Sequence, residues 1–130
     1  MASEPIIVPG MEQRTAGQKP IATSGRSFAV HEWEGSGPAY LHVHHSDDEG
    51  WHVLEGTLRF RFADREVDAA AGTTVFVPAG VPHTYEATES VRYLIILTPR
   101  LCDLIAALHG APVQEHRAIM RRYQSEVLEG

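Results

Sequence analysis

Short segments with strand-like residue preferences fill the middle of this chain, and the turns between them leave no room for a long helix. From Ser27 to Thr98 the successive runs are SFAVHEW, AYLHVH, WHVLEG, TLRFRF, TTVFV and VRYLIIL. In TLRFRF, Leu58, Phe60 and Phe62 alternate with polar residues, which is the period of a strand with one buried face. Many short strands separated by glycine- and proline-containing turns are typical of a β-sandwich or β-barrel.

A helical pattern replaces the strand pattern after Pro99. Apolar residues then recur at the spacing of one helix face, at Leu101, Leu104, Ile105 and Leu108. Gly110 is placed to end this helix, and Pro112 suits the first turn of a second one. The second helix has a thinner apolar stripe, made of Met120, Tyr123 and Val127.

These patterns predict one domain in three parts, as expected for a chain of 130 residues. Residues 1–26 form an irregular N-terminal arm with one short edge strand at Ile6–Val8. Residues 27–98 form the barrel, and residues 99–130 form a C-terminal helical segment that packs on the barrel.

The charge balance and the single cysteine restrict the class of protein. Seventeen acidic against eleven basic residues give a net charge of −6, which speaks against nucleic acid, because its binding requires a concentrated basic patch. Lys19 is the only lysine, and the longest apolar run, Tyr93 to Leu97, is too short to span a bilayer, so we expect no membrane contact. Because Cys102 has no intrachain partner and the N-terminus lacks a secretory signal, we expect a cytoplasmic protein.

Four histidines and four acids crowd into the stretch HVHHSDDEGWHVLEG, residues 42–56. On a strand, His42 and His44 share one face. Glu49 lies beyond a short turn, and His83 begins another strand after a proline- and glycine-rich turn. Three imidazoles and one carboxylate suit Fe(II), Mn, Ni, Co, Zn or Cu and do not suit Ca or Mg, which prefer oxygen ligands. A polar loop that merely contains many histidines is the alternative interpretation.

Two longer motifs carry a resemblance to a known family. The segments GPAYLHVHHSDDEGWHVLEG, residues 37–56, and GTTVFVPAGVPH, residues 72–83, resemble the two motifs of the cupin superfamily. The likeness covers Gly37 to Ala87, with three departures. The first glycine lies one residue closer to the histidine pair than in the family's motif. His52 stands where the family usually has an aromatic residue, and Ala87 stands where its second motif has an asparagine.

The resemblance implies an all-β fold, a double-stranded β-helix or cupin jelly-roll barrel, with a short helical C-terminal tail. It implies that one divalent transition metal is bound by four residues, His42, His44, Glu49 and His83. The glycines of the motifs would sit at turns with positive φ, at Gly56, Gly72 and Gly80.

The neighbours of the expected ligands have predictable directions if the strands are regular. His45 and His52 then point away from the ion, whereas Trp51 and Tyr85 face inward, where we expect them to line a substrate pocket. Phe60, Phe76 and Met120 are expected to pack in the core. Asp47 and Asp48 are expected to be turn residues with solvated acids.

From this site we expect a metal-dependent enzyme that acts on a small aromatic or carbonyl-bearing metabolite, with a quercetinase-like dioxygenase as the leading interpretation. Glu49 and Tyr85 are the candidate catalytic residues: Glu49 as a base that leaves the metal, and Tyr85 as a substrate contact or, alternatively, a core aromatic. The other interpretations are a metal-assisted cyclase or isomerase and a non-catalytic module that binds a small molecule or a metal. We also expect a homodimer.

Overall fold

Two antiparallel sheets pack face to face and enclose the core. The structure, a computed structural model, describes residues 4–13 and 19–129. The strands in these residues are β1 Ala29–Trp33, β2 His42–His44, β3 Glu49–Glu55, β4 Thr57–Phe62, β5 Glu66–Ala70, β6 Thr74–Val77, β7 His83–Ala87, β8 Arg92–Leu97 and β9 Ser125–Val127. The helices are α1 Pro99–His109 and α2 His116–Arg122, with single 3₁₀ turns at Met11–Gln13 and Val113–Glu115. One sheet has the order β1-β8-β3-β6 and the other the order β5-β4-β7-β2-β9.

Alternating apolar residues on the inner faces of the two sheets form the core. In β4, Leu58 and Phe60 are fully buried, as their period of two predicts. Phe60 meets Trp51 of the other sheet edge to face, with 5.0 Å between the ring centroids. Because aromatic side chains bury large apolar areas, such pairs contribute strongly to the packing of one sheet against the other. The predicted all-β jelly-roll architecture with C-terminal helices is confirmed.

The turn between β3 and β4 consists of a single residue, Gly56, with φ of 80°. A Cβ atom at this position would lie 2.2 Å from the carbonyl oxygen of Ser90, so both the backbone conformation and the close approach require glycine. Gly72 and Gly80 also have positive φ values, of 92° and 90°. The positive φ predicted for all three glycines is therefore confirmed.

Helix α1 closes one end of the barrel and has the predicted boundaries. Thr98 caps it by accepting a hydrogen bond from the backbone N–H of Leu101, and Gly110 ends it. The predicted apolar face is buried at Leu101, Leu104 and Leu108.

Helix α2 is shorter than the apolar spacing predicted, because the chain turns at Gln124, whose φ is 55°. Val127 therefore lies in β9 and not on a helix. Strand β9 pairs with β2, with His44 opposite Ser125. This return of the chain brings the C-terminal segment beside the histidine-bearing strand.

The predicted edge strand at Ile6–Val8 is wrong, because these residues have no regular secondary structure. Phe76 is also not a core residue: its side chain is 65% exposed on β6. Among the described residues, no helix has the length and apolar character needed to cross a membrane.

Candidate metal centre

Two neighbouring strands of the five-stranded sheet bring three histidines together. His42 on β2 lies directly opposite His83 on β7, and His44 follows His42 on the same face. All three are buried, and one ring nitrogen from each lies within 4.8 Å of those of the other two. The predicted convergence of these imidazoles is a feature of the structure.

The fourth predicted residue comes from the facing sheet. Glu49 is the first residue of β3, and its carboxylate is buried between the sheets. Its Oε1 atom lies 3.2 Å from Nε2 of His44 and 3.1 Å from Nε2 of His83. A carboxylate from one sheet thus meets imidazoles from the other at the end of the barrel.

Each histidine uses its other ring nitrogen to hold a fixed orientation. His42 Nδ1 donates to the Tyr40 carbonyl at 3.3 Å, and His83 Nδ1 donates to the Val81 carbonyl at 2.9 Å. His44 Nδ1 lies 2.7 Å from the Ser125 hydroxyl oxygen. Because that hydroxyl donates its hydrogen to the backbone carbonyl two residues earlier, it accepts from His44. In each neutral ring the free lone pair is therefore on Nε2.

This arrangement fits a bound cation. Two Nε2 lone pairs, of His44 and His83, face one carboxylate oxygen of Glu49 across 3.1–3.2 Å. Such acceptors approach each other only when positive charge lies between them. Two protonated imidazoles would supply it, but they would place like charges next to each other in a buried site, which is costly. A metal ion removes this cost, and the outer hydrogen bonds are those that ligating histidines usually make.

The ionisation of two of the residues suits a metal site. Burial, and then the nearby charges of His83 and His44, lower the pKa of His42 to about 3, so its imidazole is neutral at physiological pH. Burial opposes ionisation of Glu49, but the adjacent imidazoles of His44 and His83 outweigh it and lower its pKa to about 2. A neutral imidazole and an ionised carboxylate are the forms that bind a metal.

A cavity of about 630 Å³ opens above these residues. His42, His44 and Glu49 lie at its floor. The helical segment supplies much of the apolar wall, through Leu104, Ile105, Leu108, Val113 and Met120. From the sequence, Met120 was expected to pack in the core, and Leu104, Ile105 and Leu108 to form the apolar face of a helix. The same apolar stripe results whether a helix face covers a core or a cavity.

Tyr85 and Trp51 differ in their relation to this cavity. Tyr85 lies on its wall, as predicted. Trp51 is fully buried behind the site. The centroid of its ring lies 5.7 Å from that of His83 and 5.4 Å from that of Tyr85. The expectation that Trp51 lines the pocket is wrong, and its indole instead supports the ring of a candidate ligand.

A chain of hydroxyl groups fixes the direction of the Tyr85 hydrogen bond. Tyr93 donates to the Gly35 carbonyl at 3.1 Å, so the hydroxyl oxygen of Tyr93, 3.0 Å from that of Tyr85, accepts from Tyr85. Burial raises the pKa of Tyr93 to about 12 and that of Tyr85 well above its ordinary value. Both hydroxyls therefore keep their protons at physiological pH.

Comparison with known proteins agrees with this geometry. A family model described as the cupin domain matches residues 28–97, which is more than half of the chain. The chain belongs to the cupin family. No curated protein matches this cupin.

Solved structures similar to this cupin include proteins of several kinds. A cupin-2 domain containing protein from Shewanella frigidimarina is 26% identical with a TM-score of 0.55, covering 67% of this chain and 86% of that one. The polyketide cyclase RemF from Streptomyces resistomycificus is 25% identical with a TM-score of 0.50, covering 57% of this chain and 56% of that one. A candidate sugar phosphate isomerase from Acidithiobacillus ferrooxidans, 23% identical with a TM-score of 0.51 over 61% and 58% of the two chains, shows likeness of fold alone.

The remaining polar residues of the histidine-rich stretch lie outside the candidate metal centre of this cupin. His45 is exposed beside Glu126, and Nδ1 of His52 hydrogen-bonds Thr74 at 2.8 Å, as expected for residues on the outer face. The expectation of a solvated acid is wrong for Asp47, which is buried and accepts a hydrogen bond from the hydroxyl of Thr98. Asp47 thus ties the loop after β2 to the start of α1.

Proposed function

We propose that this cupin is a metal-dependent enzyme that activates an oxygen atom of a small, mostly apolar metabolite bearing an aromatic ring or a carbonyl group. One observation carries the proposal. Three imidazoles, each held by a hydrogen bond at Nδ1, meet one ionised carboxylate beside a cavity with largely apolar walls, and His42, His44 and Glu49 line that cavity. Convergent polar groups in an apolar cavity are typical of small-molecule sites.

The residues that would hold the ion are His42, His44, Glu49 and His83. Nitrogen ligands favour Fe, Mn, Ni, Co, Zn or Cu over Ca or Mg. A divalent transition metal held there would act as a Lewis acid on a carbonyl or phenol oxygen of the substrate.

Glu49 is the candidate base of the reaction. Its carboxylate lines the cavity and is ionised, so it can accept a proton from a substrate hydroxyl or from a carbon next to a carbonyl. The close contacts with His44 and His83 that lower its pKa also make it a weak base for as long as those contacts are kept. Movement of the carboxylate away from His44 and His83 toward the cavity would raise its pKa and its basicity.

The helical segment helps to exclude water from the cavity. Leu104, Ile105 and Leu108 of α1 cover the side of the cavity that faces the barrel end. A substrate held against these side chains and the imidazole-bearing strand would be oriented with its polar atom at the floor. Apolar walls also strengthen the electrostatic effect of the charged groups there.

Two reactions could begin with this activation of a substrate oxygen atom. Dioxygenation, with O₂ as co-substrate, is our leading candidate. Cyclisation or isomerisation without O₂ is the second, and the similarity to the polyketide cyclase RemF supports it. The alternative without catalysis is a protein that only binds a small molecule or a metal.

Metal content, O₂ uptake and product mass test the proposal together. Metal-free protein is reloaded separately with Fe(II), Mn, Ni, Co, Zn and Cu and mixed with flavonols and with poly-β-carbonyl compounds. Incorporation of both atoms of ¹⁸O₂ into the products, counted over all of them, identifies a dioxygenase, and product formed without O₂ identifies a cyclase or isomerase. His83→Ala should abolish metal binding and turnover, whereas His52→Ala, on the outer face, should change neither. Tight ligand binding without turnover under any metal would contradict the enzymatic proposal.

A further inference from the structure

Tyr85 lies on the wall of the cavity, and the hydrogen of its hydroxyl group is already used in a hydrogen bond. The single hydrogen of Tyr85 is donated to Tyr93, and the hydrogen of Tyr93 is donated to Gly35. Gly37 packs so tightly against the ring that a Cβ at this position would lie 2.6 Å from Cε1 of Tyr85. Trp51 contacts the ring from within the core. The Tyr85 oxygen therefore offers a ligand its lone pairs and not a proton.

The charged groups of the cavity wall are also acceptors. Glu32 and Glu34 line it, whereas no lysine or arginine does among the residues that the structure describes. Arg92 pairs with Glu32 at 2.9 Å but is not part of the wall. Arg92 also lies 3.7 Å from Glu34, so both carboxylates already engage it. A carboxylate, sulfonate or phosphate of a ligand, placed away from the metal centre, would thus find no lysine or arginine on the described wall to pair with.

Two histidines are the remaining basic side chains on the wall, and one of them is already engaged. His116 donates from Nε2 to the Ala111 carbonyl at 3.3 Å, so its Nδ1, 2.8 Å from the Tyr40 hydroxyl, accepts from Tyr40 in the neutral ring. His109 lies exposed at the rim against Trp33.

We propose that the cavity selects an uncharged substrate that, besides the oxygen atom at the metal centre, donates a hydrogen bond from a hydroxyl or N–H group to Tyr85, with Tyr93 and Gly35 fixing the direction of that bond. This inference rests on the proposed function and adds the substrate class. Tyr93 and Gly35 act as positioning groups, because Tyr93 accepts the hydrogen of Tyr85 and Gly35 accepts that of Tyr93. Substrates with an anionic group far from the metal centre are rejected.

The expected selectivity follows from the cost of unpaired polar groups. A methyl ether in place of the donating hydroxyl gives the Tyr85 oxygen no hydrogen from the ligand, and the loss of one such hydrogen bond weakens binding by about tenfold. An added anionic group loses its hydration and gains no partner, so it should cost at least as much.

Binding of matched aromatic probes tests the inference. Dihydroxynaphthalenes, their monomethyl ethers and their sulfonated forms are titrated calorimetrically into the Zn-loaded protein at pH 8. Zinc is redox-inert, and at this pH an ordinary histidine is neutral. Sulfonates are poor metal ligands, so their effect reports on the wall. The wild-type protein should prefer the dihydroxy compound over its ether, and over its sulfonate, by about tenfold or more.

Three substitutions separate the hydrogen bond from steric effects. Tyr85→Phe should bring the ratio of ether to dihydroxy dissociation constants close to one. Tyr93→Phe frees the hydrogen of Tyr85 to turn into the cavity, so ether binding should improve and the ratio should fall. Tyr123→Phe, the matched change outside the cavity, should keep the wild-type ratio.

The possible failures are distinguishable. A ratio that is the same in the wild type, Tyr85→Phe and Tyr93→Phe overturns the inference while leaving the proposed function in place, and so does a sulfonate that binds as tightly as its neutral parent. A Zn-loaded protein that binds none of the neutral probes contradicts the proposed function and this inference together. A protein that binds no zinc does the same.

Discussion

Ser125 holds the imidazole of His44 in place, with its hydroxyl oxygen 2.7 Å from Nδ1, although 81 residues separate the two in the sequence. Both side chains are buried, and β9 places Ser125 directly opposite His44 on β2. Ser125 lies outside the region 28–97 that the cupin family model matches. A short C-terminal strand therefore orients one of the candidate metal ligands in this cupin.

Ser125→Ala should weaken metal binding without unfolding the protein. The substitution removes the acceptor that keeps the Nε2 lone pair of His44 directed at the ion, and loss of such an outer partner typically lowers metal affinity by about 10- to 100-fold. Competition between the protein and a chromogenic zinc chelator measures the change. Ser46→Ala, a serine exposed on the neighbouring loop, is the matched control. Equal zinc affinity in the two variants would show that Ser125 does not position His44.

Glu49→Gln separates a base from a mere metal ligand. If Glu49 accepts a proton from the substrate, the amide cannot replace it, and turnover of the metal-loaded variant should fall by at least about a hundredfold while substrate binding persists. Glu55→Gln, at the exposed end of the same strand, is the control. The measurement is the single-turnover rate at verified metal content. Near-normal turnover with full metal would remove Glu49 from the chemical step.

The sequence predicted the cluster of His42, His44 and His83 better than the surroundings of that cluster. The spacing of His42 and His44 places both on one strand face whatever their partners are. The approach of His83 to these two residues depends on the pairing of β2 with β7. Residue spacing does not show this pairing, and it was predicted only through the resemblance to a family. The pairing of Ser125 with His44 was not predicted, because the segment SEV is too short to show strand periodicity.

The burial of Asp47 and the cavity wall were missed for a related reason. The acid lies in a turn-like sequence, and its partner, the N-cap residue Thr98, is brought to it only by the tertiary fold. The apolar face of α1 was predicted, but not what it covers. Patterns along a chain thus identify which face of an element is buried, whereas long-range pairing decides what that face meets.

The metal-free protein should lose stability as the pH falls from about 6.5 toward 3. The pKa of His42 is lowered from 6.5 to about 3, so between these values the unfolded chain binds a proton that the folded protein does not, and stability rises with pH. Glu49, whose pKa is lowered from 4.5 to about 2, acts in the same direction in the range between those values.

Urea unfolding followed by circular dichroism in the presence of a chelator measures this dependence. His42→Asn should flatten the loss of stability between about pH 6.5 and 3, because the group that takes up the proton is gone. His45→Asn, an exposed neighbour, is the control and should keep the wild-type slope. A slope that His42→Asn leaves unchanged would assign the effect to other groups.

Gly37→Ala should displace the ring of Tyr85. The added Cβ would lie 2.6 Å from Cε1 and 2.9 Å from Cδ1 of a ring that neighbouring aromatic residues hold on its other side. Overpacking of this kind costs about 1–3 kcal/mol of folding free energy. Calorimetric melting should show the loss, and binding of hydroxylated aromatic probes should weaken. Gly10→Ala, with open space around its Cβ, is the control. Unchanged stability and binding would mean that the ring moves freely.

We also propose that the outer face of the four-stranded sheet is a dimer interface. The strand register aligns one apolar row across the four strands, made of Val30, Ile96, Gly50 and Phe76. Phe76 is 65% exposed there. Burial of this row by a second copy around a two-fold axis would remove it from water. Phe76→Ser should shift the mass measured by light scattering from dimer to monomer at micromolar concentration, whereas Val113→Ser, exposed on the helical side, should not. A monomeric wild-type protein at tens of micromolar would contradict the interface.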